Sequence, residues 1–168
     1  MKILVWLTES TWPACVDAAA DHPAAELVLL HVIDPDSVEA AEAPRAGLLG
    51  RGIAATAPHA HRTMVDAQAA LLDAAQARLD RPARRLARAG RVERVVVAAC
   101  ADADLLVLGR DGDHARLGPR NLGRATRFVL DHAPCRVLLV WPDEPPSLAT
   151  LPPPPPDGGP PHPPPPPR

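Results

Sequence analysis

The sequence predicts an α/β protein: an open, doubly wound sheet of five parallel strands with helices on both faces. Three observations carry that expectation. Five short strand-like runs, at 2–7, 26–33, 83–88, 104–109 and 136–141, alternate with helical patterns. Most of these runs are continuously apolar, the pattern of strands covered on both faces. The segments between them are long enough for crossovers, which are right-handed where parallel strands are joined.

The first run, Lys2–Leu7 (KILVWL), leads into Thr8-Glu9-Ser10-Thr11, which offers a helix cap, with Pro13 in the first turn. Trp12, Cys15, Val16 and Ala19 then fall at helical spacing and should lie on the sheet. Glu26–Ile33 (ELVLLHVI) is the second strand. His31 within it is either a satisfied core residue or a ligand. From Pro35 to about Arg62 no periodicity is evident, and a connection of that length is functional or unstructured. Following strand two, it could fold over the carboxyl ends of the strands as a lid. His59 and His61 resemble half a metal site without evident partners.

Thr63–Leu79 is expected as a helix, capped by Thr63 with Asp66. Its apolar face runs through Met64, Ala67, Leu71, Leu72, Ala75 and Leu79, with Gln68 at the polar border. Ala83–Arg88 (ARRLAR) is a strand by position and suits an exposed edge. Val92–Ala101 contains a Val triplet that reads as strand alone. Val92, Val95, Val96, Ala99 and Cys100 nevertheless share a helical face, and a crossover is needed there.

Asp104–Trp141 is the stretch the rest is organised around. Leu105–Leu108 is a buried-type strand, with Gly109 and Gly112 directly after it. Gly123 opens a helix that Pro134 ends, and Arg136–Trp141 (RVLLVW) is the last strand. A loop running from the carboxyl end of a parallel strand into a helix is where such sheets bind ligands. Its glycines let backbone N–H groups approach a phosphate, and the helix N-terminus adds positive charge. The same glycines also fit a plain turn.

The motif DLLVLG, then G-x2-G, a later glycine opening a helix, and DHAPCRVLLV resembles the universal stress protein family, as does AELVLLHVID. The likeness runs from Lys2 to about Pro142. It implies a strand order of 3-2-1-4-5, with a nucleotide crevice at the switch point between strands one and four, where Thr8 and Gly109 face each other. It further implies that the N–H groups of Gly109, Gly112, Gly123, Arg124 and Ala125 take the phosphates of ATP, with magnesium, while Val32 and Leu108 hold the base. Three positions depart from the family pattern. Ten residues rather than nine separate Gly112 from Gly123, Arg124 stands where Ser or Thr is usual, and Thr8 stands where an acid is common. Arg110, Arg116, Arg120, Arg124 and Arg127 are either phosphate partners or a solvated face.

Composition narrows the function. A net charge of −2, with 17 Arg and one Lys, argues against a dedicated nucleic-acid binder. No apolar run is long enough to span a membrane. Three unspaced cysteines and an N-terminus that enters a strand directly point to the cytoplasm. No Walker A loop, nucleophile–histidine–acid set or metal-ligand spacing is present in the sequence, so no catalytic residue is assigned and a non-enzymatic role is expected.

Two readings follow. One is a nucleotide-binding stress-response module. The other is the same fold without nucleotide, acting as a dimeric scaffold for partners. The resemblance implies a homodimer through the Arg136–Trp141 strand. Residues 1–142 form the α/β domain. Residues 143–168 hold 14 prolines and are expected to be disordered, serving as a docking ligand for a protein partner or as a spacer.

Overall fold

The computed structural model describes residues 1–23, 25–34 and 57–153, with the side chains of 57–60 and 119 also outside the description. The proposed lid therefore lies almost wholly outside the described residues, as does most of the proline-rich segment.

Among the described residues the chain runs β1 (Lys2–Trp6), α1 (Trp12–Ala20), β2 (Glu26–Ile33), α2 (Ala57–Arg78), β3 (Arg84–Ala89), α3 (Val92–Ala99), β4 (Leu105–Gly109), α4 (Arg124–His132) and β5 (Arg136–Val140). The strands form one sheet of order β3-β2-β1-β4-β5. Every neighbouring pair is parallel. Strand alternation sends successive side chains to opposite faces. Val5 pairs with Leu29 and Val107, and Val107 with Leu138. This row meets α1 and α2 in one core cluster, with Cys15, Val16, Ala19 and Leu72. Leu4, Trp6, Val28, Leu30, Leu106 and Leu108 point the other way and meet α3 and α4 through Val96 and Val129, with Cys100 just past the end of α3. The Val triplet at 95–97 is helical, as its spacing predicted, because β3 and β4 are separated in the sheet and need a crossover between them.

Several boundaries differ from expectation. Thr63 and Asp66 do not begin a helix: α2 starts at Ala57, so both lie within it. Pro58, next to that start, suits a first turn, where its missing N–H has no intrahelical partner to lose. The buried stripe of α2 is Gln68, Leu72 and Ala75, continued by Leu79 just past its end, while Ala67 is exposed. Thr11 precedes α1 without a side-chain capping bond. The Thr8 carbonyl does that work, accepting from Thr11 N at 3.2 Å and Trp12 N at 3.0 Å. Residues 143–153 are not featureless. They include a short 3₁₀ turn, Leu148–Thr150.

Strand β3 has poor β-propensity and an almost wholly exposed burial pattern. Two glutamines of α2 hold it by its backbone. The Gln68 amide donates to the carbonyls of His31 at 2.9 Å and Arg88 at 3.0 Å. Gln76 donates to the Arg81 carbonyl and accepts from Ala83 N, both at 2.9 Å, at the strand's entry. Asp17 joins α1 to α2 through a two-pronged bond with Arg78, at 2.6 and 2.7 Å. Bonding to that guanidinium holds the Asp17 carboxyl below its ordinary range.

Burial pushes the Cys15 thiol up to about 11, against a smaller lowering by Thr11. Burial also pushes Cys100 up to about 12, with the neighbouring Cys135 thiol adding to the shift. Thiolate is the reactive form, so both should be inert in the folded protein. Alkylation at pH 8 should label half-buried Cys135 first, and Cys15 and Cys100 only after denaturation, read by mass spectrometry of the labelled peptides. Equal labelling of all three in the native state would contradict this packing.

Candidate functional site

The crevice between β1 and β4 forms because the chain leaves β1 for α1 on one face and leaves β4 for α4 on the other. At such a switch point the two loops diverge and open a cleft beyond the strand ends. The structure brings most of the predicted residues to this end of the sheet, though in different roles.

Thr8 is half-buried, and its Oγ1 lies 2.7 Å from Thr11 Oγ1. Gly109 is buried directly against that pair: a Cβ there would sit 2.3 Å from Thr11 Cβ and 2.6 Å from its Oγ1. Its lack of a side chain is thus set by the approach of the α1 entry. Val32 and Leu108 sit in the α3/α4-side cluster with Trp6, 7 % and 1 % exposed. What they can offer a ligand is mainly backbone.

The glycine loop folds back on itself. Gly112 N donates to the Asn121 carbonyl at 3.1 Å, and Asp113 N to the Arg120 carbonyl at 2.9 Å. A Cβ on Gly112 would lie 2.3 Å from the Arg120 carbonyl oxygen, so only glycine lets the two arms pair. Arg110 crosses the base of this hairpin. It donates to Asn121 Oδ1 at 2.6 Å and lies over the Trp141 ring, 4.5 Å from its centroid. At the far end Leu117 N donates to Thr150 Oγ1 at 3.0 Å, so the segment after β5 straps the loop.

Gly123 is the N-cap of α4, where the first N–H groups of a helix have no partner within it. Gly123 N donates to Asp111 Oδ1 at 2.6 Å. A Cβ on Gly123 would meet Asp111 Oδ2 at 2.5 Å. A carboxylate therefore occupies the position where a phosphate oxygen was expected. Arg124 is exposed and Ala125 half-buried. Both line an open cleft of about 780 Å³ between the starts of α3 and α4, with Asp34, Arg91, Arg94 and Phe128. Arg116, Arg120 and Arg127 are exposed.

Buried polar atoms without a partner mark places where a ligand or water belongs. Among the described residues three side-chain atoms qualify: His31 Nδ1, Arg110 Nε and Thr126 Oγ1. All three lie at the carboxyl end of the sheet. Thr126 is 1 % exposed and stands in the first turn of α4, two residues beyond the position where the family pattern has a hydroxyl. His31 presents Nε2 to Glu9 Oε1 at 3.4 Å. Among the described residues no group of three or more His, Cys, Asp or Glu is disposed to hold a metal ion. His61 is exposed, and the side chain of His59 lies outside the described residues.

Sequence reasoning missed Asp111, Thr11 and Asn121. An acid inside G-x2-G was a visible signal for the first. The roles of the other two depend on contacts across the loop and across the crevice.

Comparison with known proteins agrees with this architecture. Among curated proteins, none matches in sequence. Three of the solved structures that share the fold illustrate it. MJ0577, whose biochemical function was assigned from its structure, is 19 % identical with a TM-score of 0.61, over 83 % of this chain and 94 % of its own. A universal stress protein in complex with cAMP is 19 % identical with a TM-score of 0.54, over 85 % and 98 %. A family protein from Arabidopsis thaliana, At3g01520 with AMP bound, is 15 % identical with a TM-score of 0.53, over 86 % and 93 %. At these identities the likeness is one of fold. The sequence match is to the universal stress protein family and spans residues 8–140, from just after β1 to the end of β5. That span takes in the switch point, the glycine loop and the α4 N-terminus together, and the chain belongs to the universal stress protein family.

Proposed function

We propose that this protein is a non-catalytic, nucleotide-binding stress-response module whose ligand is an adenine nucleotide. The observation that carries the reading is the α4 N-terminus. Gly123 N already holds an anionic oxygen, and the Thr126 hydroxyl in the same first turn is buried without a partner. A seat that takes a carboxylate is chemically able to take a phosphate oxygen. The Nε of Arg110, the residue directly after β4, is also buried without a partner. Relatives of the same fold with cAMP and AMP support a nucleotide here. Magnesium, if it accompanies ATP, would be held through the phosphates, since no carboxylate cluster among the described residues is placed for it.

A second reading is favoured by the same contact seen from the other side. With Asp111 seated, the fold needs no ligand and could serve as a dimeric scaffold. Strand β5 is at the sheet edge with Val137, Leu138, Leu139 and Val140 half-buried, which suits pairing with a second copy.

A thermal melt with adenosine, AMP, ADP and Mg-ATP separates the readings. Ligand at 100 times its dissociation constant adds about 2.7 kcal/mol, raising Tm by roughly 5–10 °C for a domain of this size. A rise with any adenine nucleotide supports the first reading. No rise with any of them at millimolar concentration would leave only the scaffold.

A further inference from the structure

We infer that Asp111 is an internal competitor for the phosphate seat and selects the ligand by charge, favouring a nucleoside or nucleoside monophosphate over a triphosphate. This deepens the nucleotide reading and rests on it. The argument has three parts. Asp111 lies inside the glycine loop, between Gly109 and Gly112, so its backbone is fixed by the hairpin that Gly112 and Asp113 make with Asn121 and Arg120. From there its carboxylate reaches the Gly123 N–H at 2.6 Å, with the second oxygen filling the space where a Gly123 side chain would be.

The seat is also more than a helix end. Thr126 Oγ1, in the first turn of the same helix, is buried without a hydrogen-bond partner, a donor that the carboxylate does not engage. Finally, an anion on the Gly123 N–H must either displace Asp111 or stand beside it. Two like charges a few ångströms apart repel, and the repulsion grows with the charge brought in. The cost is absent for adenosine, moderate for a monophosphate and largest for a triphosphate. Of the nearby arginines, Arg110 donates to Asn121 and lies over Trp141, and Arg124 is exposed, where water and salt screen its charge.

The test compares the full-length wild type with Asp111→Asn and Asp111→Ala, using calorimetric titration with adenosine, AMP and Mg-ATP. Asp111→Asn keeps an acceptor for Gly123 N and removes only the charge. It should tighten Mg-ATP at least tenfold, AMP by less, and adenosine by less than twofold. Asp111→Ala should show the same order of gains. Unchanged ligand-free melting temperatures would show that both variants keep the fold. If a variant is destabilised, the Gly123 amide resonance serves instead: it should be shifted downfield in the wild type, less so in Asp111→Asn, and lose that shift in Asp111→Ala.

Equal gains for adenosine and Mg-ATP would overturn the inference. So would a wild type that already binds Mg-ATP more tightly than AMP and is unaffected by either substitution, although the nucleotide reading would then stand. Absence of binding by all three proteins to all three ligands would remove both.

Discussion

Gly109→Ala is expected to destabilise the protein by about 3 kcal/mol, near the top of the range for overpacking a buried site. For a domain of this size that lowers Tm by roughly 10 °C. The added Cβ would lie 2.3 Å from Thr11 Cβ, 2.6 Å from its Oγ1 and 2.9 Å from its Cγ2. Thr11 Cβ is rooted in the backbone at the α1 entry, so a rotamer change cannot relieve the contact. Moving that backbone would disturb the Thr8 carbonyl bonds that start the helix.

The second half of this prediction is a rescue. Thr11→Gly removes all three colliding atoms, so the double variant should recover at least about 1 kcal/mol relative to additivity in a urea-denaturation cycle. A Gly109→Ala protein as stable as the wild type would show that this glycine is not held by α1. If its nucleotide affinity alone fell, the glycine would belong to phosphate recognition, as the family pattern implies.

Gln68→Leu should cost about 2–3 kcal/mol although it replaces a polar residue by an apolar one of similar size. Gln68 is 5 % exposed, and its amide supplies donors to two carbonyls, His31 and Arg88. Leucine leaves both carbonyls without that donor, and an unsatisfied buried acceptor costs about 1–3 kcal/mol. The loss should also be local. Strand β3 has few apolar contacts of its own, so amide exchange over Arg84–Ala89 should accelerate more than exchange in β4. Uniform acceleration across the sheet would mean that Gln68 acts on global stability only. A variant of wild-type stability would refute the stitching role.

The residues behind these two predictions show how far the sequence could be read. Gln68 was visible as a polar residue beside the apolar face of a helix. Its importance was not, because the carbonyls it serves are 37 and 20 residues away. The same holds for the start of α2. Thr63 with Asp66 makes a plausible local cap, but the decision to begin at Ala57 was not written in that pattern. The Val92–Ala99 segment went the other way. Its spacing outweighed its β-propensity, and the crossover requirement made the helix legible before any contact was known. In the glycine loop, the positions of Gly109, Gly112 and Gly123 were plain. Gly109 and Gly112 turn out to be required by Thr11 and by the loop's own return arm, neither of which is a phosphate.

The sequence by itself determined the parallel α/β class and pointed to the crevice between β1 and β4 as the candidate site. Continuous apolar runs need cover on both faces, and parallel strands need crossovers, which leaves few arrangements. The family motif then supplied the strand order. Only the tertiary structure decided what occupies the α4 N-terminus. That depended on a hairpin between Arg110 and Asn121 bringing the Asp111 carboxylate to the Gly123 N–H, a contact between residues 12 apart in the chain. Periodicity encodes which face of an element is buried. It does not encode which side chain reaches an open backbone donor across a loop, because that is settled by how the loop closes.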